Sequence, residues 1–144
     1  MFISSHIKRL LIVLFFIIIP LSCKNDRFIF PYVHVDIYAL LTNLDAKIGP
    51  NESAFMYDDA GLNGLIIYRS LYDGYFVFDR TCTHEPDFSC AVDTTSFSGF
   101  VKCPCCGSLY ALDESGGYVA QGPARYPLKQ YNAIVDGGFL HIYN

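Results

Sequence analysis

Apolar and polar positions alternate with a period of two at the start of the mature-looking region, where Val33, Val35 and Ile37 are separated by His34, Asp36 and Tyr38. That is the pattern of a strand with one buried face. Further along, Leu65-Ile66-Ile67-Tyr68 and Tyr75-Phe76-Val77-Phe78 flank Tyr72-Asp73-Gly74, which predicts a hairpin. A second hairpin is predicted where Ala133-Ile134-Val135 and Phe139-Leu140-His141-Ile142 flank Asp136-Gly137-Gly138. Ala39 to Ala46 is read as a short helical turn. Short runs of Val, Ile, Tyr and Phe, broken by Gly, Pro, Asn and Asp, predict an all-β chain, an antiparallel β-sandwich or partly open barrel. The stretch from Arg80 to Asp113 differs. It holds five of the six cysteines and little regular alternation, so it reads as a loop-built insert on the β scaffold. The chain shows no internal repeat and no low-complexity stretch.

The N-terminus has the layout of an export signal. His6, Lys8 and Arg9 precede an unbroken apolar run from Leu10 to Ile19, followed by Pro20-Leu21-Ser22-Cys23. The run is shorter than the ~20 residues that a spanning helix needs. A cysteine directly behind such a run resembles a bacterial lipoprotein cleavage site. Residues 1–22 are therefore expected to be a signal peptide, Cys23 a lipid anchor, 23–31 a tether and 32–144 the domain, with the insert at about 80–113. Pro20 and Leu21 depart from the commonest form of that site, and the alternative is a plain signal peptide, or an uncleaved anchor, with Cys23 incidental. Lys24 after the cysteine weakly favours an outer over an inner membrane. The implied place is the cell envelope, periplasmic or surface-facing.

From residue 23 onward there are four Lys and four Arg against fourteen acidic residues, a formal charge of 8 − 14 = −6. A net negative surface argues against nucleic acid as a partner. The length suits one domain. With Cys23 set aside five cysteines remain, an odd number that cannot all pair as disulfides.

The chemistry lies in two short stretches, Cys82-Thr83-His84 and Cys103-Pro104-Cys105-Cys106. A C-x-H pair and a C-x-x-C pair on separate loops can converge into one four-ligand metal site. Together they resemble the Rieske [2Fe–2S] family, in which two cysteines and two histidines hold the cluster. Cys82-Thr83-His84 matches the first Rieske box. Cys103-Pro104-Cys105-Cys106-Gly107-Ser108-Leu109-Tyr110 matches the second box, C-P-C-H-G-S-x-Y, at every defined position but one. The likeness runs on through Asp113, Gly116, Gly122-Pro123-Ala124, Pro127-Leu128 and Tyr131.

The departure falls on a ligand: Cys106 stands where the family has its second histidine. The resemblance implies Cys82 and Cys103 on the inner iron and His84 and Cys106 on the outer, three thiolates and one imidazole. Such mixed ligation resembles that of CDGSH-type proteins. Ser108 and Tyr110 are implied to hydrogen-bond a bridging sulfide and a ligand sulfur, and Gly122-Pro123-Ala124 to form a loop shielding the cluster. In one Rieske subgroup the middle cysteine of the second box pairs with a cysteine beyond the first box. That implies a Cys90–Cys105 disulfide; the alternatives are that both are free, or that Cys105 replaces Cys106 as ligand. Rieske centres span roughly −150 to +300 mV and plant-type all-cysteine centres lie near −400 mV, so an intermediate potential is expected.

The implied function is a lipid-anchored one-electron carrier, or the redox subunit of an oxidoreductase, with an unidentified redox partner protein. A competing reading takes Cys103-Pro104-Cys105-Cys106-Gly107 as a zinc knuckle and the chain as a structural zinc-binding module. A third takes it as a metal-free Rieske-fold interaction lipoprotein. His34 and His141 fall on strand patterns and read as scaffold. Glu85, Asp87 and Asp93 read as a solvated acidic rim able to steer a basic partner. No Ser-His-Asp set, phosphate-cradling glycine loop or carboxylate pair stands out.

Overall fold

The computed structural model describes residues 28–48, 53–72, 74–84, 87–95 and 99–144. The expected signal peptide, Cys23, most of the tether, Asp73 and Glu85 lie outside the described residues. The fold class expected from sequence holds: the chain is all-β and antiparallel. Among the described residues the elements are β1 (Asp36–Leu40), a helix α1 (Leu41–Lys47), β2 (Ser53–Tyr57), β3 (Leu65–Arg69), β4 (Tyr75–Asp79), β5 (Asp93–Thr94), β6 (Phe100–Lys102), β7 (Leu109–Asp113), β8 (Gly116–Gln121), β9 (Gln130–Asp136) and β10 (Phe139–Tyr143). They form a six-stranded sheet ordered β1-β10-β9-β4-β3-β2 and a four-stranded sheet ordered β5-β6-β7-β8.

The alternation of residues 33–40 is realised directly. Val35 is buried and Val33 and Ile37 half-buried, while His34, Asp36 and Tyr38 face out. β1 then pairs with β10, placing Ile37 opposite Ile142 and Tyr38 opposite His141. Both predicted hairpins form, β3 with β4 and β9 with β10. In the second, Asp136 pairs with Phe139, so Gly137-Gly138 alone makes the turn.

β3 and β4 explain why their sequences are almost continuously apolar. Leu65, Ile67 and Val77 point into one core, with Val35, Leu44, Ile48, Tyr131, Leu140 and Ile142. Ile66, Tyr68 and Phe78 point the other way, into a second core with Val92, Val101, Tyr110, Leu112 and Leu128. A strand covered on both faces has no solvent side to keep polar, and each buried Leu, Ile or Phe contributes about 1.5–3 kcal/mol. The second core also takes in Cys82, Cys90 and Cys103. The cysteine-rich segment is therefore mounted on the back of β3 and β4 and packed like any other core. Its four-stranded sheet includes β5, β6 and β7, strands of two, three and five residues, of which the first two are too short to show any period.

Candidate metal centre

Two loops carry the sulfurs. The first leaves the end of β4 and is closed at its base by Thr81 pairing with Ala91, by Cys82 N–H donating to Cys90 O at 2.8 Å, and by Val92 N–H donating to Arg80 O at 2.6 Å. The second is the β6–β7 turn. There Cys103 N–H donates to Ser108 O at 2.8 Å and Gly107 N–H to Cys103 O at 2.9 Å, which winds Pro104, Cys105 and Cys106 into a tight knuckle. The knuckle lies against the first loop, and Cys90 and Cys105 are joined by a disulfide between the two.

Cys82, Cys103 and Cys106 are free thiols, and their sulfurs all lie within 4.8 Å of one another. Cys82 Sγ is 3.6 Å from Cys106 Sγ, and Cys103 Sγ is 3.6 Å from Cys90 Sγ. Cys82 and Cys103 are fully buried and Cys106 half-buried. His84 is exposed on the first loop and is not part of the three-sulfur group. Cys105 faces out, with its sulfur committed to Cys90. His34 is exposed, while His141 pairs with Asp36 and stacks between Tyr38 and Tyr143. Asp87 and Asp93 are exposed, and the Asp87 carboxyl is held below its ordinary range by the backbone and hydroxyl of Ser89.

Two buried hydroxyls meet the sulfurs. Ser108 Oγ accepts the Ala124 N–H at 3.0 Å and lies 3.0 Å from Cys106 Sγ. With its acceptor side taken by Ala124, the hydroxyl proton is free to point at sulfur. A third loop, the one that follows β8 and carries Gly122 and Ala124, is brought this close by Gly122: a Cβ at that position would sit 2.6 Å from Ser108 Cα. The Tyr110 hydroxyl lies 3.5 Å from Cys82 Sγ, accepts the Thr83 N–H at 3.2 Å and sits 3.0 Å from Thr83 Oγ1. Thr83 Oγ1 in turn donates to Tyr126 O at 2.5 Å. The sequence gives no hint of Thr83's part: it is the unspecified middle position of C-x-H, and its burial, shared with Thr81 and Cys82, depends on the fold.

These surroundings set the thiols apart. Burial pushes Cys103 up to about 12. Burial pulls Cys106 the same way, but the Ser108 hydroxyl and backbone, with Cys103 and Cys82, outweigh it and bring its pKa below the ordinary thiol value. Burial, and then Cys82, push Tyr110 well above the ordinary phenol range. One sulfur is thus prepared to be a thiolate, and two more wait behind it in a dry setting. That is the donor chemistry of a thiolate-loving metal or an iron–sulfur unit.

No protein-family model and no curated protein sequence matches the chain at a significant level. Solved structures do. The ferredoxin of carbazole 1,9a-dioxygenase from Nocardioides aromaticivorans IC177 superposes with a TM-score of 0.50 at 16% identity, covering 78% of this chain and 98% of that one. The fold is Rieske-like. The complex of reduced oxygenase and oxidised ferredoxin in carbazole 1,9a-dioxygenase gives 0.49 at 19% identity, covering 75% and 99%. A ferredoxin of Sphingomonas yanoikuyae B1 gives 0.48 at 18%, covering 78% and 99%. What this Rieske-like chain shares with the first of these is the arrangement of its strands and loops. The residues that hold a metal have to be argued from its own side chains.

Proposed function

We propose that this chain is an exported, lipid-tethered one-electron carrier holding a [2Fe–2S] cluster on Cys82, His84, Cys103 and Cys106. The observation that carries the reading is the convergence of three free thiols from two loops, with the Ser108 and Tyr110 hydroxyls at two of those sulfurs, in a fold shared with a ferredoxin. A [2Fe–2S] unit at that place supplies reversible uptake of one electron. The chain's own residues do the rest. The buried Cys82 and Cys103 exclude water from the inner side. His84, exposed on its loop, suits an outer ligand that a partner can approach. Ser108, locked by Ala124, stabilises negative charge on Cys106. Thiolate in place of imidazole adds a negative charge at the outer iron and disfavours reduction, so the potential belongs below the high-potential Rieske group.

Among the described residues no helix is long and apolar enough to cross a membrane. The membrane link in this reading is the lipid on Cys23, and the partner is a redox protein at the same envelope surface.

A structural zinc site is the second reading, favoured by one distance. The 3.6 Å between Cys82 and Cys106 sulfurs is close to the edge of a tetrahedron around a single ion with Zn–S bonds of about 2.3 Å, roughly 3.8 Å. Thiolates on different irons of a cluster sit farther apart. Elemental analysis with EPR of anaerobically purified, dithionite-reduced protein decides between the two. Iron and sulfide with a rhombic reduced-state signal is expected; stoichiometric zinc without iron would overturn the electron-carrier reading. Cys106→His should raise the potential and move the spectrum toward ordinary Rieske features. An unmoved spectrum would remove Cys106 from the ligand set.

A further inference from the structure

Beneath the first ligand loop lies a carboxylate that the site described above does not use. Asp79, the last residue of β4, is fully buried. Its Oδ1 accepts from Thr81 N–H at 2.9 Å and from Thr81 Oγ1 at 2.5 Å. Its Oδ2 accepts from Leu62 N–H at 2.7 Å and from the Tyr131 hydroxyl at 2.9 Å. Thr81 Oγ1 takes its own hydrogen bond from Asn63 Nδ2 at 3.0 Å, which commits its proton to Asp79. Two donors on each oxygen fill the lone pairs and leave no place for a proton, so the group is a carboxylate. These four donors are neutral, and Arg80, the adjacent cation, is spent on Asp58.

The surroundings are shaped for this group. A Cβ on Gly61 would come within 2.6 Å of Asp79 Oδ2, and the residue has φ +78°, so glycine is what lets the 61–64 turn lay its amide on the carboxylate. Arg80 N–H donates to Gly64 O at 2.9 Å and holds the same turn from the other side. Asn63 also donates to Phe88 O at 2.5 Å, in the middle of the first ligand loop, where Phe88 adopts φ +56°. Asp79, Thr81 and Asn63 therefore tie the loop's start and its interior to one buried point. A fully desolvated charge met, among the described residues, by neutral dipoles alone is costly to keep unless it does something a neutral side chain would not.

We infer that Asp79 is a positioning residue for the first ligand loop and a fixed negative charge that lowers the reduction potential of the centre bound there. Two residues separate it from Cys82, at most about 11 Å of chain over three steps, and a buried charge at that range is little screened by salt. A negative charge beside the centre opposes arrival of an electron. The inference rests on the electron-carrier reading and adds a determinant of potential that lies outside the ligands.

The test uses the full cluster-loaded chain with Asp79→Asn and, separately, Tyr131→Phe, read by iron content, EPR line positions, EPR-monitored redox titration and thermal melting. Asp79→Asn removes the charge at nearly constant shape; its midpoint should shift upward, with altered EPR lines. Tyr131→Phe keeps the charge and removes one donor from it; its midpoint should shift downward even though both variants melt earlier. An Asp79→Asn midpoint equal to the parent's, with only the melting lowered, would reduce Asp79 to a structural joint and overturn the inference. Where Asp79→Asn fails to fold, Tyr131→Phe decides: a lowered midpoint supports the role and an unmoved one refutes it. A parent protein without an iron–sulfur spectrum sinks the functional reading and this inference together. A parent with the spectrum but unmoved variants sinks this inference alone.

Discussion

Ser108→Ala is the sharpest probe of how the site is built. The change removes one oxygen from a fully buried residue and leaves a methyl group in nearly the same space. It takes away the contact to Cys106 Sγ at 3.0 Å and leaves the Ala124 N–H, which donates to Ser108 Oγ at 3.0 Å, without an acceptor. The lost hydrogen bond is worth about 1 kcal/mol and an orphaned buried N–H costs about 1–3 kcal/mol. Since the two overlap, a total of about 2–3 kcal/mol is expected. For a domain of this size that is a drop in melting temperature of about 8–12 °C. Thermal and urea denaturation of the metal-free chain, followed by circular dichroism, measures it. A double-mutant cycle with Cys106→Ala isolates the sulfur contact, with a coupling of about 1 kcal/mol expected. In the same variant the Cys106 thiol, now without its donor, should need a higher pH to be alkylated by iodoacetamide. A loss below about 0.5 kcal/mol, or an alkylation profile that does not move, would show that the hydroxyl neither anchors the third loop nor serves the sulfur.

Cys105→Ser opens the disulfide to Cys90, which closes a loop with a sequence separation of 15. The loss should be about 3 kcal/mol, the Cys90→Ser, Cys105→Ser double variant should be no worse than either single, and denaturation curves check both. Gly122→Ala should cost about 2 kcal/mol or more, because the new Cβ meets Ser108 Cα at 2.6 Å. Gly107→Ala, which meets nothing within 4 Å and suffers only from φ +77°, should cost about 1 kcal/mol. Equal losses would deny the close approach of the third loop. The metal-free protein should be labile to alkali. The unfolded chain releases protons from Cys103, Tyr110 and Tyr131 at their ordinary values, while the folded chain holds Cys103 to about 12 and both tyrosines higher still. The folded state then binds more protons, and stability falls as pH rises above about 9. Urea midpoints from pH 8 to 11 test this, and Tyr131→Phe should flatten the decline.

The scaffold was legible wherever a strand had one wet face or two dry ones. Val33 to Tyr38 announced β1 by alternation, and the runs at 65–68 and 75–78 announced β3 and β4 by their lack of it. β5 and β6 could not be read, since two and three residues show no period and their pairing depends on distant partners. β8 was hidden by Gly116-Gly117 at its start. The candidate site was legible in the cysteine boxes, because ligand types and their spacing are local. The polar framework around it was not. Apart from the local Asp79–Thr81 contact, Thr83, Asp79 and Asn63 matter through partners 17 to 52 positions away, which the sequence does not bring together.

The crowding of sulfur has a consequence for biogenesis. Cys103 lies 3.6 Å from Cys90, whose own bond runs to Cys105, and Cys82 lies 3.6 Å from Cys106. An oxidant acting on the bare chain meets several near-neighbour thiol pairs and only one correct choice. The order of events then governs yield: either the two loops are clasped by the right crosslink before the ligands see an oxidant, or the ligands are occupied first and thereby kept out of the competition. Preparations made by aerobic refolding should accumulate miswired species that no later addition of metal can rescue.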